Sequence, residues 1–225
     1  MTKIKICGVK RIETLRVLTE WGVDYAGFVF APSKRQVSAG EAGELLRAVP
    51  GHPPAVGVFV NPSLQELEEV LQEARLSVIQ LHGQESAAFC QQVRELFSLP
   101  VWKALAVGRD GERSDRRAEM EPYLAVADGL LFDTYDPSLA GGTGKRFSWE
   151  QIPQLKQWSA PLPCIVAGGI HAGNVGELVD TYQPAVIDVS SGVETAGEKD
   201  TEKIRELVER VREYDGGKNG TAAGA

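Results

Sequence analysis

The chain has 225 residues, with 24 basic and 31 acidic side chains and a formal net charge of −7. This acidic balance argues against nonspecific binding to nucleic acid, which depends on clustered Lys and Arg that neutralise phosphates. No apolar run approaches the roughly 20 residues that span a bilayer. The start, MTKIKICGVKR, lacks the apolar core of a signal peptide. We therefore expect no nucleic-acid or membrane partner and a cytoplasmic location.

The chain contains three cysteines, Cys7, Cys90 and Cys164, and no CxxC spacing. An odd number without paired spacing argues against a disulfide framework and against a structural zinc site. Free cysteines are typical of a reducing compartment, which agrees with the expected cytoplasmic location.

Two hydrophobic periodicities alternate along the chain. Short apolar runs predict eight strands, in the order IKIC, YAGFVF, AVGVFV, SVIQL, VWKAL, GLLFD, CIVAG and AVIDVS. Helical spacing predicts helices between them, as in the stripes Ala42-Leu45-Leu46-Val49, Phe89-Val93-Leu96-Phe97, Val175-Leu178-Val179-Tyr182 and Ile204-Leu207-Val208-Val211. The charged stretch AVGRDGERSDRRAEMEPYL is expected to form a loop and then a short fifth helix.

Strict alternation of strands and helices predicts an α/β fold with a parallel sheet. Eight such units favour a single closed (β/α)8 TIM barrel over residues 1–214. Periodicity leaves an open doubly wound sheet as the alternative. Residues 215–225 lack apolar periodicity and are expected to form a flexible C-terminal tail.

Polar and glycine residues gather where the predicted strands end. They are Cys7, Ser33, Arg35, Asn61, His82, Asp133, Gly168, Gly169, Asp188, Ser190, Ser191 and Gly192. In a closed barrel these positions share the C-terminal rim, which is the face that carries active sites in this fold.

Three glycine-rich turns are candidate anion sites: GGTG at 141–144, AGGI at 167–170 and SSG at 190–192. Backbone N–H groups approach an anion closely where side chains are small, and a following helix adds its positive end. The alternative is that these glycines serve only tight turns.

Several single residues have both a chemical and a structural interpretation. Cys7 is either a small buried residue or a reactive thiol whose thiolate would need nearby donors or positive charge. Asp133 follows three apolar residues, so its carboxyl is either a partly desolvated general acid or a turn cap. Arg35 could clamp a carboxylate or be solvated. For His82 a hydrogen-bonded structural role is favoured over a catalytic one. Lys103, in the fifth strand, could form a Schiff base but more readily pairs with a carboxylate.

Taken together, several segments resemble the phosphoribosylanthranilate isomerase family of tryptophan biosynthesis. They are KICGVKR, GFVFAPSKRQV, VGVFVN, VIQLHG, LLFDT followed by GGTGKRFSW, AGGI with Asn174 after it, and DVSSGVE before GEKD. They run in order from Lys3 to about Asp200. The combination of KICG, LHG and DVSSGVE is specific, whereas AGGI alone occurs in many phosphate-binding barrels.

The resemblance implies a TIM-barrel isomerase that converts N-(5'-phosphoribosyl)anthranilate to 1-(2-carboxyphenylamino)-1-deoxyribulose 5-phosphate by an Amadori rearrangement. It implies a small phosphosugar as the binding partner, no cofactor and no metal. Asp133 would be the general acid and Cys7 the general base, and Arg35 would hold the anthranilate carboxylate. His82 and Asp188 would lie near the sugar. The phosphate would be bound by Gly168, Gly169, Ser190, Ser191 and Gly192.

The aromatic wall, the reaction class and the oligomeric state each have more than one interpretation. Phe28 and Phe30 would form an apolar wall for the anthranilate ring only if their strand turns them inward. The alternatives in function are a lyase or aldolase of the same barrel group that uses Lys103, or a non-catalytic phosphosugar-binding barrel. We expect a monomer or a homodimer.

Overall fold

The computed structural model describes residues 1–108, 116–134 and 147–216. Its strands are β1 (Lys3–Cys7), β2 (Tyr25–Val29), β3 (Ala55–Phe59), β4 (Val78–Leu81), β5 (Val101–Val107), β6 (Gly129–Thr134), β7 (Cys164–Ala167) and β8 (Val186–Val189). These eight strands pair in parallel in chain order, and β8 pairs with β1 to close the barrel. The predicted (β/α)8 barrel is confirmed, and closure excludes the open sheet.

A helix follows each strand. The helices are α1 (Ile12–Glu20), α2 (Ala39–Ala48), α3 (Leu64–Glu73), α4 (Ala87–Phe97), α5 (Arg116–Met120), α6 (Ile152–Ser159), α7 (Ala172–Glu177) and α8 (Thr201–Gly216). Helices α2 and α3 each begin with a capping box, in which Ser38 exchanges hydrogen bonds with Glu41, and Ser63 with Glu66. Such a cap stabilises a helix by about 1 kcal/mol.

Some segments depart from plain alternation. A short antiparallel hairpin, β9 (Glu194–Thr195) and β10 (Glu198–Lys199), follows β8. The expected short fifth helix is present as α5. Helix α8 continues through Gly216, so most of the predicted tail lies outside the described residues, as does the GGTG turn at 141–144.

Side chains of each strand alternate between the barrel lumen and the helix layer. The lumen is filled by an apolar cluster made of Val56, Val78, Trp102, Ala104, Leu131, Ile165, Ala167 and Val186. The larger core lies between the strands and the helices and includes Ile4, Ile6, Phe28 and most of the predicted helical stripes. Leu96 is an exception, because it is 59% exposed in a cleft between α3 and α4 rather than packed on the sheet.

In the three described ranges, no helix is both long enough and apolar enough to cross a membrane.

Candidate active site

The predicted site residues lie at the carboxyl ends of the strands. Cys7 ends β1, Asp133 lies near the end of β6 and Asp188 lies in β8. In the closed ring β8 separates β1 from β7, and β7 separates β8 from β6. Cys7 and Asp188 therefore occupy one side of the barrel mouth, and Asp133 occupies another.

Cys7 is buried, 8% exposed, on the lumen face of β1. Gly27 lies opposite it on β2, where an added Cβ would stand 3.0 Å from the Cys7 Sγ and 3.1 Å from the Lys5 Cε. Burial raises the pKa of the Cys7 thiol above its ordinary value of 9.0, while Lys5 and Lys199 act in the opposite direction. The two cations that a thiolate would need are thus present, and they act against the effect of burial.

Lys5 and Asp188 form a buried ion pair directly beneath the mouth. The Lys5 Nζ lies 2.8 Å from the Asp188 Oδ2, and the two side chains are 0% and 7% exposed. Burial lowers the pKa of Lys5, but its interactions with Asp188 and Cys7 outweigh burial, and the net shift is upward. Asp188 Oδ1 is buried and has no hydrogen-bond partner among the described residues. The carboxylate therefore keeps one acceptor for a ligand.

Asp133 and His82 lie side by side at the mouth, at the carboxyl ends of β6 and β4. The His82 Nε2 lies 3.5 Å from the Asp133 Oδ2, and the Thr134 N–H donates to the Asp133 Oδ1 at 2.7 Å. The other imidazole nitrogen of His82 lies 2.9 Å from the Gln80 amide. The Asp133 side chain is 25% exposed. Its carboxyl is therefore held by its neighbours but open to the mouth.

The loops after β7 and β8 touch through their backbones. Gly168 and Gly169 both have positive φ, and the Asn174 side chain donates to the Gly169 carbonyl at 2.9 Å. At Gly192 an added Cβ would overlap the Ile170 carbonyl oxygen. Only glycine permits this approach, so the two predicted phosphate loops form one continuous surface.

Arg35 is held at the rim by an acidic partner that the sequence did not indicate. Its Nε and Nη2 donate to the two carboxylate oxygens of Glu194 at 2.7 and 3.0 Å. The Arg35 side chain is only 12% exposed, which excludes the solvated-loop interpretation. Lys199 also binds Glu194, at 2.7 Å, and donates to the Ser190 carbonyl at 2.9 Å.

Lys103 does not face the lumen, and the expected pairing of its ammonium with a carboxylate is confirmed. Its neighbours Trp102 and Ala104 belong to the lumen cluster, so Lys103 points to the helix layer. Its ammonium donates to three backbone carbonyls and, at 2.9 Å, to Glu85. A saturated ammonium on the far side of the sheet cannot form a Schiff base in the mouth, so the lyase alternative loses its nucleophile.

Phe28 and Phe30 also turn away from the mouth. Gly27, between Ala26 and Phe28, faces Cys7 in the lumen, so its neighbour Phe28 faces the helices. Phe30 stacks on Phe59 at 5.0 Å in the same layer. Neither ring can form the wall for an aromatic substrate.

Three residues at the site were not identified from the sequence: Lys5, Glu194 and Lys199. Lys5 could have been found, because it lies two positions before Cys7 in KIKIC and therefore on the same strand face. Glu194 and Lys199 lie in the segments DVSSGVE and GEKD, but the local sequence does not show that the hairpin after β8 brings them to Arg35 and Ser190.

A family model described as N-(5'-phosphoribosyl)anthranilate isomerase matches residues 4–210. The chain belongs to this family. It is 64% identical to the N-(5'-phosphoribosyl)anthranilate isomerase of Brevibacillus brevis over the whole of both chains. It is 42% identical to that of Nitrosomonas europaea, covering 93% of this chain and 95% of the relative.

Solved structures of this isomerase family have the same fold. The phosphoribosyl anthranilate isomerase of Thermus thermophilus is 32% identical, with a TM-score of 0.81, over 94% of this chain and 99% of that chain. A second structure is a complex with reduced 1-(o-carboxyphenylamino)-1-deoxyribulose 5-phosphate. It is 30% identical, with a TM-score of 0.77, over 95% of this chain and all of that chain.

Proposed function

We propose that this isomerase converts N-(5'-phosphoribosyl)anthranilate to 1-(2-carboxyphenylamino)-1-deoxyribulose 5-phosphate with Asp133 as general acid and Cys7 as general base. The observation that carries the proposal is the family match over residues 4–210, with a carboxyl and a thiol on different sides of one barrel mouth. The relative solved with a reduced aminodeoxyribulose phosphate supports a phosphosugar as ligand.

In the first step Asp133 gives its proton to the ribose ring oxygen. The bond between C1 and the ring oxygen breaks, and the nitrogen lone pair forms an immonium at C1. Asp133 is left as a carboxylate, which His82 at 3.5 Å can stabilise. The accessible carboxyl at the mouth suits this role.

In the second step the Cys7 thiolate removes the proton from C2. The electron pair of the broken C2–H bond moves toward the immonium nitrogen, which accepts it, and an enolamine forms. Protonation at C1 and loss of the C2 hydroxyl proton then give the ketone. Lys5 and Lys199 stabilise the thiolate, because a nearby positive charge favours the charged form of an acid.

Three further contacts would bind the substrate. Arg35 would hold the anthranilate carboxylate, and the open oxygen of Asp188 would accept a sugar hydroxyl. The phosphate would be bound by backbone N–H groups of the loops after β7 and β8, in Gly168, Gly169, Ser190, Ser191 and Gly192. Such groups add no net charge and are a recurring way to bind phosphate. The cytoplasmic location and the monomeric or dimeric state stay predictions.

The test is turnover of phosphoribosylanthranilate generated in situ, followed by loss of its fluorescence. Cys7→Ser and Asp133→Asn should each lower kcat by roughly 10²–10⁴-fold, the usual contribution of positioned acid–base catalysis. Cys90→Ala is the matched control, since Cys90 is buried on α4. Near wild-type kcat in Cys7→Ser would disprove the assigned base. Absence of turnover by the wild type would disprove the substrate.

A further inference from the structure

We propose that Glu194 is a positioning residue that presents Arg35 to the substrate carboxylate and so makes the site selective for carboxylated substrates. The inference rests on the proposed function, in which Arg35 binds that carboxylate. Glu194 belongs to the β9–β10 hairpin after β8 and has no assigned part in the acid–base chemistry.

The geometry of the pair leaves a second binding edge on Arg35. Glu194 accepts from Nε and from Nη2 at 2.7 and 3.0 Å, which occupies one side of the planar guanidinium. Arginine has five N–H donors, so three remain, two on Nη1 and one on Nη2. Nη1 and Nη2 together form the other edge that binds a planar carboxylate by two parallel hydrogen bonds.

The side chain of Arg35 is also fixed along its stem. Its Cδ would stand 2.6 Å from a Cβ added at Gly8, the residue after Cys7. With its stem against Gly8 and one edge on Glu194, the guanidinium has little freedom to rotate. The Nη1–Nη2 edge of Arg35 is therefore held in a fixed orientation near Cys7, the proposed base.

Charge at this place favours a second carboxylate despite the presence of the first. Glu194 is 6% exposed and also contacts Lys199 at 2.7 Å and Lys34 at 3.7 Å. Three cations, counting Arg35, surround this one carboxylate and leave the place with a net positive charge. Hydrogen bonds from Arg35 and Lys199 outweigh burial and lower the pKa of Glu194 to about 2, so it stays ionised at neutral pH.

Glu194 also connects the carboxylate site to the other site elements. Lys199, held by Glu194, donates to the Ser190 carbonyl at 2.9 Å, and the Ser190 hydroxyl donates to the Cys7 carbonyl at 3.1 Å. One carboxylate thus orders residues assigned to carboxylate binding, phosphate binding and proton removal.

The experiment compares Glu194→Gln, Glu194→Asp and Arg35→Ala with Glu198→Gln in the intact chain. Glu198 is the matched control, since it lies in the same hairpin but is 43% exposed and lies 3.3 Å from exposed Arg11. The probes are reduced 1-(o-carboxyphenylamino)-1-deoxyribulose 5-phosphate and the corresponding phenylamino compound without the carboxylate. Their dissociation constants are measured together with kcat and KM.

Glu194→Gln should weaken binding of the carboxylated probe by roughly 10–100-fold, the range for lost hydrogen bonds between charged groups. Binding of the phenylamino probe should be unchanged, and KM should rise more than kcat falls. Glu194→Asp should restore part of the selectivity because it keeps the charge, and Glu198→Gln should match the wild type.

Equal weakening of both probes in Glu194→Gln, or weakening of neither, overturns the positioning role. If Arg35→Ala loses selectivity while Glu194→Gln keeps it, the positioning role is wrong and the proposed carboxylate site stands. If both variants keep full selectivity, the assignment of Arg35 in the proposed function is wrong and this inference fails with it.

Discussion

Two buried lysine–carboxylate pairs lie on opposite faces of the same sheet. The Lys5–Asp188 pair is in the lumen, with a distance of 2.8 Å, and the Lys103–Glu85 pair is in the helix layer, with a distance of 2.9 Å. Their chemistry and burial are nearly the same. They differ in what else surrounds the charges.

In the helix-layer pair, both Lys103 and Glu85 have further hydrogen-bond partners. Besides Lys103, Glu85 accepts from the backbone N–H groups of Asn61 and Gly83, and Lys103 donates to three carbonyls. The pair therefore joins the loops after β3 and β4. The lumen pair keeps an open acceptor on Asp188 and lies beside Cys7. A buried ion pair is weak evidence for either stability or function; its unsatisfied atoms are more informative.

The largest effect is expected from Lys5→Met. It leaves Asp188 buried without its cation, which should lower the free energy of unfolding by about 3–5 kcal/mol. It also removes a cation from Cys7, so the pKa of the thiol should rise further and kcat should fall. Urea unfolding measures the first effect, and the pH dependence of iodoacetamide alkylation measures the second. An unchanged pH dependence of alkylation would show that Lys5 does not affect the ionisation of Cys7.

Lys103→Met should produce a similar loss of stability, about 3–5 kcal/mol, because Glu85 then lacks its cation. In contrast to Lys5→Met, it should leave the alkylation profile of Cys7 unchanged and keep kcat of the folded enzyme within a few-fold of wild type. Both variants are measured under the same conditions. If borohydride trapped a substrate adduct in the wild type but not in Lys103→Met, Lys103 would be a catalytic residue after all.

Glu194 extends the comparison to a rim carboxylate with three cationic partners. Its folded pKa of about 2 lies below the ordinary 4.5, so its stabilisation is present above about pH 4.5 and is lost as the pH falls toward 2. The shift corresponds to at most about 3 kcal/mol. Glu194→Gln should therefore flatten the acid decline of unfolding free energy between those values, and Glu198→Gln should not. Identical acid profiles for both variants would contradict this.

The smallest effect is expected at the solvated ion pairs of α8. Arg205 contacts Glu202 and Glu209 at 2.9 and 3.0 Å, but its side chain is 42% exposed. Exposed pairs are screened by water and contribute little. Glu209→Gln should leave the free energy of unfolding within experimental error of the wild type, at low and at high salt. A clear loss at low salt would show that exposure is a poor guide to the strength of ion pairs in this protein.

Local pattern predicted the fold and the positions of the candidate residues at the strand ends. Strand and helix periods depend on neighbouring residues, and strand ends in a parallel barrel share one rim, so Cys7, His82 and Asp133 could be placed together from sequence alone. The lumen side of each strand was harder to predict. In VWKAL both Trp102 and Lys103 are candidates for the lumen, and the same ambiguity affected Phe28.

By itself the sequence determined the order of strands and helices and the α/β class with a parallel sheet, because these follow from periods of two and 3.6 residues, and it placed polar groups at the strand ends. Only the tertiary structure decided which charges meet. Arg35 and Glu194 are 159 residues apart, and Lys5 and Asp188 are 183 apart. Such pairs form when β8 closes on β1, and closure is a property of the whole ring that no short segment encodes.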